Sequence, residues 1–222
     1  MPDAQTEQAT EQPVLAVERL TKDFPSVRAL DGVDLAFRRG EVHGIVGENG
    51  AGKSTLMKVI SGIYRPSGGR MLCAGREVAP AGPADAMRLG VAMVHQELNL
   101  VDELTVADNI FLGREQSRFG LIRRRDAERR ARELLGRVGG DIDPGARVKR
   151  LSIAQQQIVE IAKALSCDAT VLIMDDPTAV LARPEAERLF GLIGRLKDEG
   201  VSVLYISHIL PEVLRAFRKR GI

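Results

Sequence analysis

The fold is decided by one stretch of the sequence, Gly47-Glu48-Asn49-Gly50-Ala51-Gly52-Lys53-Ser54-Thr55. It fits the pattern G-x-x-x-x-G-K-[ST], in which glycines let the backbone curl so that successive N–H groups point inward around a phosphate. A helix that starts near Ser54 directs its positive end at the same anion. Lys53 then supplies a point charge for the β- and γ-phosphates, and the hydroxyl of Ser54 supplies a ligand for Mg²⁺.

The flanking sequence supplies the elements that such a loop needs. Residues 43–46 are a short apolar run typical of a buried strand, and apolar spacing predicts a helix from Ser54 to Ile60 that ends at Gly62. A dinucleotide pattern G-x-G-x-x-G does not fit, because Thr55 stands in place of the third glycine. The strand–loop–helix order favours a nucleotide site over a glycine-rich turn with a chance lysine. The predicted nucleotide-binding residues of the loop are Gly47, Asn49, Gly50, Ala51, Gly52, Lys53, Ser54 and Thr55.

Composition and charge limit the class of protein. The chain has 222 residues, enough for one domain with an inserted subdomain, and its formal net charge of +2 gives no reason to expect nucleic acid as a partner. The two cysteines, Cys73 and Cys167, are far apart, which is typical of a reducing compartment. No apolar run approaches the roughly 20 residues needed to cross a bilayer. We predict a disordered polar tail over residues 1–12 and a single domain over residues 13–222.

The rest of the chain alternates predicted strands and helices. An alternating apolar and polar pattern between Val14 and Arg39 indicates antiparallel β structure. The stretch from Thr105 to Val138 is rich in arginine and alanine and has helical periodicity. Further strands are predicted at 71–73, 91–94, 170–174 and 201–206, with further helices at 152–166 and before Gly200. Such alternation around a phosphate loop predicts an α/β fold with a mainly parallel sheet.

An acidic pair, Asp175 and Asp176, follows the apolar strand at 170–174. Asp175 stands at the carboxyl end of that strand, where open α/β sheets bind their ligands. We predict that Asp175 holds Mg²⁺ through water. The alternative is a turn with two solvated charges, and the all-apolar strand in front of it favours the metal role.

With the phosphate loop, four further segments occur in an order that resembles the ATP-binding cassette (ABC) ATPase family. They are Gln96, the segment 151–155, the acidic pair at 175–176 and His208. The resemblance extends over nearly the whole chain. It implies a P-loop NTPase with a RecA-like, mainly parallel sheet, an N-terminal antiparallel β subdomain and a helical subdomain inserted at about residues 97–167. It also implies ATP and Mg²⁺ as the bound cofactors.

The residue after Asp175 departs from the family pattern. Active members normally carry glutamate at this position, where it positions and activates the attacking water, and this chain carries Asp176. Aspartate is one methylene shorter, so its carboxylate lies about 1 Å further from the water, a misplacement that costs on the order of 100-fold in rate. Asp176 is nevertheless the predicted general base.

The segment Leu151-Ser152-Ile153-Ala154-Gln155 occupies the position of the family's signature, which is usually LSGGQ. In the family this segment binds the γ-phosphate of ATP held by a second cassette in a head-to-tail dimer. The resemblance therefore implies a nucleotide-binding role for Ser152 across that dimer. The alternative is a plain S-x-x-Q capping box, in which Ser152 and Gln155 serve only to start a helix.

Three single residues complete the resemblance. Gln96 matches the glutamine that contacts Mg²⁺ or the attacking water, although such a residue is also an ordinary polar group of a loop. His208 matches the histidine that contacts the γ-phosphate and orders the water. Phe24 matches the aromatic that stacks on adenine, with a plain core role as the alternative. The predicted catalytic residues are Lys53, Gln96, Asp176 and His208, and the predicted metal ligands are Ser54, Gln96 and Asp175.

Short strings at 47–49, 95–98 and 152–157 look like the first cassette of monosaccharide importers similar to the ribose, xylose and galactose systems. This implies an ATPase subunit at the cytoplasmic face of the membrane that powers a separate transmembrane permease. A periplasmic sugar-binding protein is then an indirect partner. Two alternatives stay open: a catalytically weak or inactive nucleotide-binding fragment, and a soluble ABC ATPase without a transport role.

Two more departures concern the second half of the chain. Ala182 stands where the family usually has a polar residue that also caps the helix starting near Pro184. The chain ends at Ile222, whereas the family continues with β structure after a helix that corresponds here to Pro211–Phe217. From this we expect a domain that is incomplete at its C-terminal end.

Overall fold

The structure is a computed structural model, and it describes residues 12–48, 50–114, 117–118, 121–122 and 124–207. Ten strands and six α-helices lie in these ranges. The strands are β1 (Leu15–Phe24), β2 (Val27–Phe37), β3 (Val42–Val46), β4 (Gly68–Cys73), β5 (Arg76–Val78), β6 (Val91–Val94), β7 (Ser117–Arg118), β8 (Leu121–Ile122), β9 (Val171–Asp175) and β10 (Ser202–Ser207). The helices are α1 (Lys53–Ile60), α2 (Pro83–Arg88), α3 (Val106–Ile110), α4 (Arg124–Arg137), α5 (Ile153–Leu165) and α6 (Arg183–Asp198).

The first sheet is antiparallel, with the strand order β2-β1-β4-β5. A tight connection joins β1 to β2, since Phe24 pairs directly with Val27. The apolar residues on its inner face, among them Leu15, Val17 and Leu20, join α1 and one face of the second sheet in a single buried cluster. The predicted N-terminal antiparallel β subdomain is therefore confirmed.

The second sheet is parallel, with the strand order β3-β10-β9-β6. Its two central strands are buried on both faces: Leu204 and Ile206 of β10 enter one core cluster, and Val203 and Tyr205 enter the other. This explains why β9 and β10 are continuous apolar runs rather than alternating ones. All four strands end at the same edge, so the segments that follow them are brought together there.

A helical region covers the other face of the parallel sheet. Helices α3, α4 and α5 pack against one another, and their apolar residues share one buried cluster with β9, β10 and α6. The predicted helical stretch from Thr105 to Val138 is wrong in its middle part. Helix α3 ends at Ile110, the short hairpin β7–β8 follows, and α4 begins at Arg124. Gly113, with φ +75°, turns the chain in the left-handed conformation that a continued helix does not allow.

Several predictions fall on residues that the structure does not describe. They are the disordered tail, apart from Gln12, the loop residue Asn49, His208 and the helix at 211–217. These predictions lie outside the described residues.

Helix α6 begins with half of a capping box. Ala182 has the extended backbone of an N-cap, with φ −67° and ψ 155°, and its N–H donates to the Glu185 carboxylate over 2.9 Å. Alanine has no side-chain oxygen to accept the second bond of the box, from the N–H of Glu185.

We expect Ala182→Ser to complete the box and stabilise the fold by about 1 kcal/mol. This corresponds to a rise of roughly 2–4 °C in the unfolding midpoint. Thermal unfolding checks this, with the exposed Ala179→Ser as a control that should change little; an unchanged midpoint for Ala182→Ser would contradict the capping argument.

Candidate nucleotide-binding site

The phosphate loop connects β3 to α1 and needs its glycines for two different reasons. Gly50 and Gly52 have φ of +86° and +87°, a conformation that side chains rarely adopt. At Gly52 a Cβ atom would also lie 2.5 Å from the carbonyl oxygen of Ala29, so no larger residue fits. In the described part of the chain, no side chain caps the start of α1 after Gly52. The helix therefore presents uncapped N–H groups and a positive dipole end at the loop.

Lys53 lies folded over this loop. Its Nζ donates hydrogen bonds to the carbonyl oxygens of Gly47, at 2.6 Å, and of Glu48, at 2.7 Å. The ammonium group is thereby held at the mouth of the loop, where an anion bound by the backbone N–H groups would meet it. Ser54 and Thr55 follow in the first turn of α1, and Ser54 is exposed. The loop thus offers backbone donors, one cation and one hydroxyl at the same place.

The acidic pair stands at the end of β9, two strands away from the loop. Burial raises the pKa of the Asp175 carboxyl above its ordinary value, and the charge of Asp176 raises it further. His95, Lys58 and Lys53 act in the opposite direction. The parallel registers, in which Val94 pairs with Met174 and β10 pairs with both β9 and β3, bring the ends of β3, β6 and β9 to one edge of the sheet. Three predicted site segments therefore converge there.

Asp176 has an unusual backbone. Its φ is +44°, a left-handed conformation that aspartate tolerates better than most residues, and its N–H donates to the carbonyl of Ile206 over 3.1 Å. The turn that follows is fixed to the sheet by a 2.9 Å hydrogen bond between the hydroxyls of Thr178 and Tyr205. The turn that begins at Asp176 is therefore attached to β10 at two points.

The donor set suits Mg²⁺ bound together with phosphate. Mg²⁺ is usually held by one or two carboxylates plus substrate phosphates and water, rather than by an all-protein cage. Asp175 and the Ser54 hydroxyl supply such a partial set. Among the described residues, no cluster of three or more His, Cys, Asp or Glu side chains forms a complete metal site. The residues present therefore fit a magnesium ion that arrives with a nucleotide.

Gln96 lies in the loop that leaves β6 and is exposed to solvent. Its neighbour His95 is close enough to Asp175 to influence the pKa of that carboxyl. The sheet order therefore brings Gln96 to the same edge as the acidic pair.

Phe24 is half-buried at the end of β1. Its ring meets the ring of Tyr64 edge-on, with centroids 5.5 Å apart, and Lys22 Nζ lies 5.1 Å from its centroid. Tyr64 was missed in the sequence, because it lies 40 residues after Phe24 in a loop that carries no periodic pattern. The two rings and Lys22 form one cluster in which Phe24 has a defined orientation.

Ser152 forms the capping box that was the alternative interpretation. Its Oγ accepts from the Gln155 N–H at 3.3 Å, and its own N–H donates to Gln155 Oε1 at 3.0 Å. The box fixes the start of α5, whose first turn contains no acidic residue. A capped helix start of this kind is compatible with binding an anion from outside, so the trans-acting role of Ser152 stays a prediction.

Comparison with known proteins decides the family. A family model described as ABC transporter matches residues 30–179. The chain belongs to this family. It is 56% identical over 200 residues to the ribose import ATP-binding protein RbsA 1 of Streptomyces avermitilis. This alignment covers 90% of this chain and 38% of that protein. It is 46% identical over 202 residues to the galactofuranose transporter ATP-binding protein YtfR of Escherichia coli K12, covering 91% and 40%.

The ABC chain spans about two fifths of the length of these relatives. Among solved structures it resembles MJ1267, an ATP-binding cassette of an ABC transporter in its ADP conformation, with a TM-score of 0.82 and 28% identity over 92% of this chain and 85% of that one. The dimeric ABC transporter cassette MJ0796 superimposes with a TM-score of 0.75 at 24% identity, covering 89% of each chain, which shows a common fold. The predicted P-loop α/β fold is confirmed by these similarities.

Proposed function

We propose that this cassette binds MgATP, hydrolyses it and thereby powers the import of a monosaccharide through a separate transmembrane permease. The supporting observation is the carboxyl edge of the parallel sheet, where the phosphate loop after β3 and the carboxylate of Asp175 at the end of β9 stand on either side of β10. The names of the relatives, which are ribose and galactofuranose import proteins, support the transport role and the substrate class.

Each site residue has a part in this proposal. The backbone N–H groups of residues 47–55 and Lys53 bind the β- and γ-phosphates. Ser54, Asp175 and Gln96 would hold the metal, which when bound neutralises charge on the transferred phosphoryl group. Asp176 orients and deprotonates the attacking water, and His208 contacts the γ-phosphate. Phe24, held by Tyr64, stacks on the adenine.

A second cassette is part of the proposal. In a head-to-tail dimer, Ser152 of one copy would reach the γ-phosphate bound by the other, with the positive end of α5 behind it.

We propose residues 13–222 as one cassette domain with the helical subdomain at about 97–167. This domain acts at the cytoplasmic face of the membrane beside the permease. A periplasmic sugar-binding protein would deliver the sugar to that permease. In the ranges that the structure describes, every helix is too short or too polar to cross a bilayer.

One observation favours a second candidate, a nucleotide-binding cassette with weak catalysis. The general-base position carries the shorter Asp176, and its backbone is held in the left-handed conformation by the sheet. The backbone bond to Ile206 holds the main chain of Asp176 in place, so a shift of the main chain does not make up for the missing methylene. This candidate shares the binding site with the first and differs only in turnover.

Calorimetric titration of the full chain with MgATP tests the proposed binding. We expect saturable heat with a dissociation constant between about 1 μM and 1 mM, the usual range for enzyme substrates. Titration with ATP in the presence of a chelator should show weaker binding, because Ser54 and Asp175 would hold a metal that neutralises phosphate charge. A folded protein that gives no heat with MgATP would contradict the function. Phosphate release at saturating MgATP then separates the active cassette from the weak one.

A further inference from the structure

Tyr64 contacts both the helix that follows the phosphate loop and the ring that is proposed to bind adenine. It lies just after α1, which ends at Ile60, and its N–H donates to the carbonyl oxygen of Lys58 over 2.8 Å. Its ring meets the ring of Phe24 edge-on, with centroids 5.5 Å apart and an interplanar angle of 79°. One residue therefore connects the last turn of α1 to the end of β1.

Two side-chain hydrogen bonds attach residues 64–67, which we call the Tyr64 segment, to β1. Lys22 Nζ donates to the carbonyl oxygen of Arg65 over 2.9 Å. Ser67 Oγ accepts from the N–H of Asp23 over 2.9 Å. A backbone hydrogen bond between the same two stretches of chain adds a third point of attachment. The end of β1 is therefore fixed against the Tyr64 segment.

Two ammonium groups lie against the aromatic pair. Lys22 Nζ is 5.1 Å from the centroid of the Phe24 ring and 5.8 Å from that of the Tyr64 ring. Lys58 Nζ is 5.7 Å from the centroid of the Tyr64 ring. An ammonium group within about 6 Å of a ring centroid is attracted by the negative face of the ring. Lys22 therefore stabilises the ring pair at the same time as it bonds the Tyr64 segment.

We propose that Tyr64 and Lys22 are positioning residues that set the distance between the Phe24 ring and the phosphate loop. The inference rests on the proposed function, in which Phe24 stacks on adenine while the loop binds the triphosphate. The affinity for a ligand that engages two sites at once depends on whether their separation matches its length. Helix α1 begins inside the loop at Lys53, and Tyr64 is hydrogen-bonded to its last turn. The Tyr64 segment therefore gives the site its preference for a nucleotide over a bare polyphosphate.

A purely structural role for Tyr64 predicts a different result. Tyr64 is partly buried and packs against the apolar cluster that the first sheet shares with α1. Loss of this packing alone would lower stability and would reduce the folded fraction for every ligand alike. Loss of positioning affects only a ligand that carries a base. Inorganic tripolyphosphate offers phosphates to the loop without a base, so it distinguishes the two roles.

The test measures binding of MgATP and of magnesium tripolyphosphate by calorimetry with the full chain. We expect Tyr64→Leu and Lys22→Met to weaken MgATP binding by about 3- to 10-fold, the size of one aromatic or cation–π contact. Binding of tripolyphosphate should be unchanged. Tyr64→Phe keeps the ring and should bind MgATP nearly as tightly as the wild type. Lys149→Met, at an exposed lysine that pairs with Glu103, is the matched control for Lys22→Met and should change neither ligand.

A double variant checks that Tyr64 acts through Phe24. In a Phe24→Ala background, Tyr64→Leu should weaken MgATP binding little further, because the effects of residues that act through one another are not additive. Full additivity would overturn the proposal. An equal loss for MgATP and tripolyphosphate in the single variants, or no loss for either ligand, would overturn it as well. If Tyr64→Leu fails to fold, Lys22→Met provides the same comparison.

Hydrogen exchange in the free protein tests the positioning without a nucleotide. Lys22→Met releases the carbonyl oxygen of Arg65, so the Tyr64 segment should loosen and the Asp23 N–H, which is bonded to Ser67, should exchange faster. Unchanged exchange at Asp23 contradicts the positioning role. A wild-type chain that binds neither MgATP nor tripolyphosphate contradicts the proposed function instead, and the exchange rate still decides whether Lys22 fixes the end of β1.

Discussion

Replacing Lys53 by alanine is expected to weaken MgATP binding by about 10- to 100-fold, because a charged hydrogen bond contributes about 1.5–3 kcal/mol. The loss in kcat should reach about 10²–10³, since the same ammonium group faces the charge that develops on the phosphoryl oxygens. The Nζ atom lies at the mouth of the loop, within 2.7 Å of two carbonyl oxygens. Calorimetry with MgATP and steady-state phosphate release measure the two effects.

Two variants sharpen this prediction. Lys149→Ala removes an exposed lysine that pairs with Glu103, remote from the loop in sequence, and should leave binding and turnover unchanged. Lys53→Arg keeps the charge but replaces a compact ammonium by a larger planar group, so an intermediate loss is expected. If Lys53→Ala binds MgATP as tightly as the wild type, the phosphate loop is not the binding site.

Replacing Asp176 by glutamate is expected to raise turnover by up to about 100-fold, because the added methylene restores the carboxylate position from which the attacking water is activated. Stability should fall by roughly 1 kcal/mol, since glutamate tolerates the left-handed backbone at φ +44° less well than aspartate. We therefore expect the Asp176→Glu variant to hydrolyse ATP faster than the wild type and to have a lower unfolding midpoint. Phosphate release and thermal unfolding of the same preparations measure them.

Asp176→Asn is the matched control for this substitution. Asparagine has nearly the same shape and also tolerates the left-handed conformation, so the fold should keep its stability. It cannot accept the proton of the water, and turnover should fall by about 10²-fold or more. An Asp176→Glu variant that is folded but no faster than the wild type would show that side-chain length does not limit this site.

The sequence was sufficient to predict those parts of the fold that interactions between neighbouring residues determine. The phosphate loop is specified by glycines within nine residues, and β9 and β10 are specified by continuous apolar runs, so their positions were predicted correctly. The hairpin between α3 and α4 was missed, because its flanks share the helical periodicity of the helices themselves. The hydrogen bond from Lys163 to the carbonyl oxygen of Asn99 could not be predicted, since the two residues are 64 positions apart.

The order of the parallel sheet has a consequence for biosynthesis. The strand that carries the phosphate loop and the strand that carries the acidic pair are not neighbours, because β10 lies between them. The chain must therefore leave the ribosome through Ser207 before these two halves can join. Until then β3 and β9 each have an open side that can pair with another nascent chain. Assembly of the site is thus a late event in the folding of the chain.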